Sequence, residues 1–190
     1  MAAEATDFDY LLVGGGLQNG LIALALCARP HPPRLAIVER GACLGGNHTW
    51  CFHAGDIPEG AGGWIAPLVA SQFSGYDVAF PGFSRHIEAA YSVITQPVFD
   101  GVVRARVEAA GGTILTDCEV SYAGAHRVEL AGGGVLSAAV VIDSRGPGGA
   151  VASAGYQKFV GHELLLSRPH GITAPLLMDA TCEQIDGYRF

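Results

Sequence analysis

The sequence predicts a fold of the α/β class, with a parallel sheet at its centre and inserted antiparallel strands. Residues 9–13 form an apolar run that breaks into glycines, and apolar residues then recur at helical spacing over residues 17–28. Residues 34–39 form a second short apolar run, as expected of a buried parallel strand. Of the 190 residues, 49% are hydrophobic and 15% are charged, so the chain can bury a substantial core.

The turn between the first strand and the helix contains Gly14 and Gly16. Such glycines allow a sharp turn and a close approach of the backbone to a ligand, and a helix start attracts anionic groups. Glu39 ends the second strand, where an acidic side chain can bind ribose hydroxyls. The pattern therefore predicts a Rossmann-like dinucleotide-binding unit with the diphosphate at the turn. It departs from the usual fingerprint at its third glycine, because Asn19 stands there and Gly20 follows.

Charge and hydropathy narrow the classes of partner. The net charge is −7 and there are only 11 Lys and Arg residues, which argues against nucleic-acid binding. The mean hydropathy of +0.31 is high, yet no run approaches the roughly 20 apolar residues of a spanning helix. We therefore expect contact with a membrane surface at most. The acidic first residues lack the features of a secretory signal, so we expect a cytoplasmic location.

The five cysteines are odd in number and include no C-x-x-C pair, which favours reduced thiols over a disulfide framework. Cys43, His48, Cys51 and His53 lie close together in the sequence. A structural zinc site usually needs a second ligand pair elsewhere, and the chain offers none. We predict no metal site.

The loop after Glu39 contains Gly45 and Gly46, followed by Asn47 and His48. Adjacent glycines at this place would let the main chain pass close to the bound nucleotide, and the two polar side chains would lie nearby. A tight loop without a ligand is the alternative interpretation.

The middle of the chain predicts a short apolar helix over residues 64–70, limited by Pro67, and then a hairpin with its turn at Pro81 and Gly82. Residues 98–110 are amphipathic and stop at a glycine pair, which predicts a helix. Residues 113–116, 119–123, 127–130 and 135–136 together predict a small antiparallel meander.

Residues 138–143 are apolar and end in Asp143, as a central parallel strand would. Ligands bind at the carboxyl ends of such strands, so Asp143 is a candidate ligand contact, with a turn cap as the alternative. Beyond it, residues 156–166 and 174–179 predict extended segments of a second sheet, and residues 187–190 begin a third. We expect a first domain over residues 1–150, an incomplete one over 151–190, and a truncated chain.

Four stretches, residues 9–23, 44–50, 141–146 and 155–161, resemble the amino-terminal part of bacterial lycopene beta-cyclases, flavoproteins of carotenoid biosynthesis. The resemblance covers nearly the whole chain, and the family carries an asparagine–glycine pair where Asn19 and Gly20 stand. It implies an FAD-binding domain with an inserted antiparallel sheet, joined to a sheet that binds the polyene substrate.

The reaction implied by this resemblance is a redox-neutral, acid-triggered cyclisation of the acyclic ends of lycopene to beta-ionone rings, an isomerase-class reaction that forms beta-carotene. Reduced FAD would assist it, with NAD(P)H as the reductant, at the inner face of the membrane. The essential acid would lie beyond Phe190, so we expect this chain alone to be inactive.

The positions that would contact FAD are Gly14, Gly16, Asn19, Gly20, Glu39, Gly45, Gly46, Asn47, His48, Val120, Asp143 and Gly146. Glu39 would bind the adenosine ribose, and the main chain of Val120 would pass the adenine. Asp143 and Gly146 would lie along the ribityl or diphosphate part. Two other functions use the same cofactor architecture: a redox flavoprotein such as a hydroxylase or a geranylgeranyl reductase-like enzyme, and an inactive FAD-binding module.

Overall fold

The computed structural model describes residues 6–146, 161–162 and 164–181. They divide into two compact units, one formed by the described residues up to 71 together with residues 92–146, the other by residues 72–91 and the described residues after 146. The helices and strands, in chain order, are β1 (Phe8–Val13), α1 (Leu17–Cys27), β2 (Leu35–Val38), β3 (Thr49–His53), α2 (Gly62–Ile65), β4 (Ser71–Phe73), β5 (Tyr76–Phe80), β6 (Phe83–Ile87), β7 (Tyr91–Thr95), α3 (Gln96–Ala109), β8 (Thr113–Leu115), β9 (Val120–Ala123), β10 (Arg127–Leu130), β11 (Val135–Asp143) and β12 (Leu176–Asp179).

The first unit is organised around the predicted β-α-β unit, which the structure confirms. β1 and β2 pair in parallel, with Leu12 opposite Ile37. Because successive side chains of a strand point to opposite faces, β1 contributes side chains to two hydrophobic cores, one on each face of the sheet. Leu12 packs with α1 and α3 on one face, whereas Leu11 and Val13 pack on the other face with Val120 and Val128 of the meander.

The sheet of the first unit has six strands in the order β8-β2-β1-β11-β10-β9. The predicted central strand is confirmed, since β11 pairs in parallel with β1 from Phe8 opposite Ala138 to Val13 opposite Asp143. Its first residues pair antiparallel with β10, as Val128 opposite Leu136 shows. The last part of the predicted meander and the predicted parallel strand are therefore one continuous strand.

One predicted strand has a different place in the sheet. Residues 113–116 were expected in the meander, but β8 pairs in parallel with β2, with Ile114 opposite Ile37. The physical reason is the long connection from β2 to β8, which includes α3, because a crossover of this kind joins parallel strands. The meander consists of β9, β10 and the start of β11.

The predicted helix over residues 98–110 is confirmed as α3 and begins two residues earlier, with Pro97 in its first turn. Phe99, Val103 and Val107 form its buried face. The helix ends before Gly111, whose φ of +76° is a conformation that glycine adopts easily.

The segment between β2 and α3 contains strands that the sequence pattern did not predict. β3 and β7 lie side by side in a small sheet. The short helix predicted over residues 64–70 begins two residues earlier, as α2, and continues as a 3₁₀ turn, Ala66–Leu68, that includes Pro67, so residues 69 and 70 are not helical.

The second unit contains a sheet in the order β12-β5-β6. The predicted hairpin is confirmed, because β5 and β6 pair antiparallel around Gly82. The predicted segment 174–179 contains β12, which pairs in parallel with β5. In the predicted segment 156–166, residues 161, 162 and 164–166 have no regular secondary structure, while the rest, like residues 187–190, lies outside the described residues. Within the described part of the chain, no helix combines the length and apolarity needed to cross a bilayer.

Candidate functional site

A cleft of about 270 Å³ opens where β1, β2 and β11 reach their carboxyl ends. Its position at this edge of a parallel sheet is where α/β folds bind ligands. The residues that line it are Val13, Gly14, Gly16, Val38, Glu39, Arg40, Gly46, His48, Cys118, Glu119, Val120, Ser144 and Arg145.

The structure brings six of the predicted contact residues together in this lining, namely Gly14, Gly16, Glu39, Gly46, His48 and Val120. The other six do not line the cleft, namely Asn19, Gly20, Gly45, Asn47, Asp143 and Gly146. Two of them are hydrogen-bonded to lining residues: Asn19 to Val13, Gly14 and Ser144, and Asp143 to Arg145.

Glycine is needed at Gly14 and at Gly16 of the first turn for different reasons. Gly14 has a φ of +94°, and a Cβ there would lie 3.2 Å from the carbonyl carbon of Ser144. At Gly16 a Cβ would meet no protein atom within 4 Å. Gly16 caps α1 without a side chain, so the free N–H groups of the first helical turn stay open to a ligand. Gly14 is thus required by the protein itself, and Gly16 leaves space in front of the helix.

Asn19 is completely buried behind this turn. Its Nδ2 donates to the carbonyl oxygens of Val13 at 2.9 Å and Gly14 at 2.8 Å. Its Oδ1 accepts from Ser144 Oγ at 3.0 Å. The amide therefore fastens the end of β1 to the residue that follows β11, and its polar atoms are used within the protein.

Gly20 permits the close approach of α1 and α3. A Cβ at Gly20 would lie 2.2 Å from Cζ of Phe99, which is fully buried. The close packing that the third fingerprint glycine usually provides between helix and strand is here provided one residue later and between two helices.

Glu39 holds two loops with its two carboxylate oxygens. Oε2 accepts from the N–H of Gly15 at 2.6 Å, and Oε1 accepts from the N–H of Gly41 at 2.7 Å. Each oxygen has a further lone pair, so the carboxylate can still accept from a hydroxyl of a ligand. Gly15, which the sequence pattern did not single out, is also where a Cβ would lie 2.5 Å from Leu44 Cδ2.

The glycine pair after β2 is anchored to both the first turn and α3. Gly45 and Gly46 have φ values of +83° and +56°. The N–H of Gly45 donates to the carbonyl of Gly15 at 2.9 Å. The neighbouring Leu44 donates its N–H to Asp100 Oδ1 at 2.8 Å. This loop is therefore fixed against the first turn, and its exposed residues Gly46 and His48 border the cleft.

Asp143 forms a bidentate ion pair with Arg145. Oδ1 accepts from Nε at 2.9 Å, and Oδ2 accepts from Nη2 at 2.7 Å. These hydrogen bonds from Arg145 lower the pKa of the Asp143 carboxyl, and the carboxylate raises the pKa of the guanidinium. The side chain of Asp143 is therefore committed to Arg145. Gly146, with a φ of +81°, has open space at its Cβ position.

Arg145 also reaches across to the meander. Its Nη1 donates to the carbonyl oxygen of Val120 at 2.8 Å. Ser144 and Arg145 were not among the predicted contacts, although they directly follow a strand whose end was recognised as part of the ligand edge. Their adjacency to Asp143 and their place in the stretch 141–146, which carries the resemblance, were the signals for them.

The arrangement fits a dinucleotide. The open face of Gly16 and the free helix start suit a diphosphate, and Glu39 at the end of β2 suits ribose hydroxyls. Within the described part of the chain, no three His, Cys, Asp or Glu side chains are grouped as metal ligands would be.

Comparison with known proteins gives a family match over most of the chain. The family model described as lycopene cyclase protein matches residues 9–190. A lycopene beta-cyclase from Pseudescherichia vulneris is 45% identical over 183 residues, which is 96% of this chain and 47% of that protein. The lycopene beta-cyclase from Pantoea ananas is 41% identical, over 96% of this chain and 47% of its own length. The chain spans about half the length of these curated relatives.

Solved structures share the fold at low sequence identity. The tetrameric 2-methyl-3-hydroxypyridine-5-carboxylic acid oxygenase has a TM-score of 0.56 and 18% identity, over 70% of this chain and 38% of that one. PqsL of Pseudomonas aeruginosa, in complex with 2-aminobenzoylacetate, has a TM-score of 0.56 and 16% identity, over 70% and 41%. A variant of the halogenase PltM in complex with FAD has a TM-score of 0.52 and 14% identity, over 72% and 34%.

Proposed function

Since the chain belongs to the lycopene cyclase family, we propose that it is the FAD-binding, amino-terminal part of a lycopene beta-cyclase. The observation that carries the proposal is the cleft at the ends of β1, β2 and β11, with an open helix start on one side and a carboxylate on the other. The FAD bound to the structurally similar halogenase supports the choice of dinucleotide.

In this proposal the backbone around Gly14 and Gly16 and the first turn of α1 bind the FAD diphosphate. Glu39 accepts hydrogen bonds from the adenosine ribose while it keeps its bonds to Gly15 and Gly41. Gly46 and His48 border the flavin-side part of the cleft, and Asn19 and Gly20 act by holding the turn and α1 in place.

The reaction we propose for the complete protein is the cyclisation of the acyclic ends of lycopene to beta-ionone rings, without net redox change. Bound FAD in its reduced form would supply an electron-rich group that stabilises positive charge at the substrate. The chain's own contribution is to bind and orient that cofactor. We place the essential acid outside this chain, so the chain alone should not turn over.

We also propose NAD(P)H as the reductant and a peripheral position on the inner face of the cytoplasmic membrane. Exposed apolar side chains in the second unit support contact with a lipid surface or a polyene, among them Leu164, Leu165, Leu166, Ile172 and Met178. We assign residues 1–150 mainly to FAD binding and residues 151–190 to the beginning of the substrate sheet, to which the β5–β6 hairpin contributes through β12.

The test is expression of the full-length gene product in a host that accumulates lycopene, followed by chromatography and mass spectrometry of the carotenoids. A cyclic product of the same mass as lycopene supports the proposal. A product that has gained hydrogen or oxygen would instead identify a redox flavoprotein. Unchanged lycopene together with stoichiometric bound flavin would indicate an FAD-binding module without activity.

A further inference from the structure

The guanidinium of Arg145 links Asp143, at the end of β11, with Val120 in the lining of the cleft. On one side it holds the carboxylate of Asp143 with Nε and Nη2, at 2.9 and 2.7 Å. On the other side Nη1 donates to the carbonyl of Val120 at 2.8 Å. These contacts fix a long, flexible side chain in one orientation at the border of the cleft, and Arg145 itself is part of the lining.

Arg145 also stands beside the glycine turn. Its backbone nitrogen lies 3.3 Å from the position that a Cβ of Gly14 would occupy. The backbone of Arg145 therefore lies next to the proposed diphosphate site, and its side chain extends to the carbonyl of Val120 at the start of β9.

The charged side chains that line the cleft include one arginine beside the proposed diphosphate site. The lining contains two carboxylates, Glu39 and Glu119, and two arginines, Arg40 and Arg145. In a chain of net charge −7, a dianionic diphosphate needs a local cation. Arg40 follows Glu39 at the proposed ribose end, whereas Arg145 is the arginine next to Gly14.

The guanidinium has protons to spare for such a ligand. It carries five N–H donors, of which three side-chain hydrogen bonds use one each: Nε and Nη2 to Asp143, and Nη1 to Val120. One proton on Nη1 and one on Nη2 remain, and guanidinium groups suit phosphate oxygens.

We propose that Arg145 donates these remaining protons to a phosphate oxygen of the bound dinucleotide, and that Asp143 acts by positioning Arg145 and does not contact the dinucleotide itself. This inference rests on the proposed FAD binding. It gives Asp143 a different role from the direct contact that its place at the end of β11 predicts.

The first experiment compares ADP with adenosine as ligands of the full-length protein, using isothermal titration calorimetry. Arg145→Gln should weaken ADP and FAD about tenfold, since one charge-assisted contact is lost, and should weaken adenosine much less, because the nucleoside has no phosphate. Arg145→Lys keeps the positive charge but lacks the planar guanidinium with its several N–H donors, so it should give an intermediate ADP affinity. An equal loss for adenosine and ADP, or no loss for ADP, would overturn the proposal.

The second experiment tests Asp143 by a double-mutant cycle. Asp143→Asn should weaken ADP binding, and adding it to Arg145→Gln should cause little further loss, because both act through the same guanidinium. Additive losses would show a direct contact of Asp143 and overturn its positioning role.

Arg127→Gln is the matched control. Arg127 is an exposed arginine of the meander that pairs with Glu129 and does not line the cleft, so its ADP affinity should equal that of the wild type. Circular dichroism of every variant checks the fold, and Arg145→Lys preserves the test if Arg145→Gln does not fold. A wild type that binds neither FAD nor ADP contradicts both proposals, whereas normal binding by Arg145→Gln contradicts only this one.

Discussion

The buried amide of Asn19 is hydrogen-bonded to the hydroxyl of Ser144, with 3.0 Å between Oδ1 and Oγ. The same amide donates to the carbonyl oxygens of Val13 and Gly14. One side chain thus joins the end of β1, the glycine turn and the residue after β11. Asn19, at the third glycine position of the fingerprint, therefore stabilises the backbone that forms the cleft.

Replacing Asn19 by Ala should lower the free energy of unfolding by about 1–3 kcal/mol, because the Gly14 carbonyl loses its amide donor and the Ser144 hydroxyl loses its acceptor, while the Val13 carbonyl keeps its bond from the N–H of Ser144. Ser144→Ala removes only the bond to Oδ1 and should cost about 1 kcal/mol. Urea denaturation followed by circular dichroism measures both values. Equal stability of the two variants would mean that the bonds to Val13 and Gly14 contribute little.

Gly20→Ala should destabilise the protein by about 1–3 kcal/mol, because the new Cβ overlaps the Phe99 ring. Gly101→Ala is the matched control on the exposed face of α3, where a Cβ meets no atom within 4 Å. It should raise the free energy of unfolding by about 0.5–1 kcal/mol, since alanine is the better helix former. The two substitutions should therefore change the melting temperature in opposite directions. A higher melting temperature for Gly20→Ala would contradict the close packing of Gly20 against Phe99.

Gly16→Val should keep the fold but abolish flavin binding. Its φ of −76° suits any residue and the space before it is open, so the cost in unfolding free energy should be about 1 kcal/mol, that of a poorer N-cap. Gly14→Val should instead unfold more easily, since a side chain there meets the backbone of Ser144 at a positive φ. Flavin absorbance and melting temperature separate the two. Normal flavin content in Gly16→Val would show that the cofactor lies elsewhere.

Glu39→Gln replaces one carboxylate oxygen by an NH₂ group that cannot accept a hydrogen bond. Either Gly15 or Gly41 then loses its charge-assisted partner, and the ribose loses an anionic acceptor. We expect FAD affinity to fall at least about tenfold by calorimetry. Glu108→Gln, on the exposed face of α3, is the control and should bind FAD as the wild type does. Unchanged FAD affinity in Glu39→Gln would show that Glu39 does not contribute to FAD binding.

The ion pair of Asp143 and Arg145 should persist well into the acid range. Hydrogen bonding from Arg145 lowers the pKa of Asp143 below its usual 3.8. A carboxyl with a lowered folded-state pKa contributes stability that is present above its unfolded-state pKa and is lost as the pH falls through the lowered value. The difference in melting temperature between wild type and Asp143→Asn should therefore stay constant from neutral pH to about pH 5. Its disappearance above about pH 5 would contradict the ion pair.

The sequence predicted the parts of the fold whose patterns are local. The β1-α1-β2 unit, α3 and the β5–β6 hairpin each have a periodicity and a glycine or proline boundary of their own. β3 and β7 were not predicted, because they lack such a periodicity and boundary. β7 runs directly into α3, without a turn residue between Thr95 and Gln96. The place of β8 depended on a crossover, which a three-residue strand does not encode.

The site shows the same division. Gly14, Gly16 and Glu39 follow from the fingerprint and its spacing, and the structure places them around one cleft. The roles of Asn19 and Arg145 depend on which distant backbone groups their side chains reach, namely the end of β1 for one and Val120 for the other. Residue type and spacing carry no information on such long-range hydrogen bonds.

The position of β1 between β2 and β11 has a consequence for synthesis of the chain. β2 is made soon after β1, but Ser137, which bonds to Asp7 beside the other edge of β1, is 130 residues downstream. Until β11 leaves the ribosome, β1 presents an unpaired edge that could pair with another chain. Ser144 emerges later still, so the glycine turn gains its support only when most of the first unit has been synthesised. The nucleotide-binding cleft proposed above is therefore complete only late in translation, and slow elongation before residue 144 would favour aggregation.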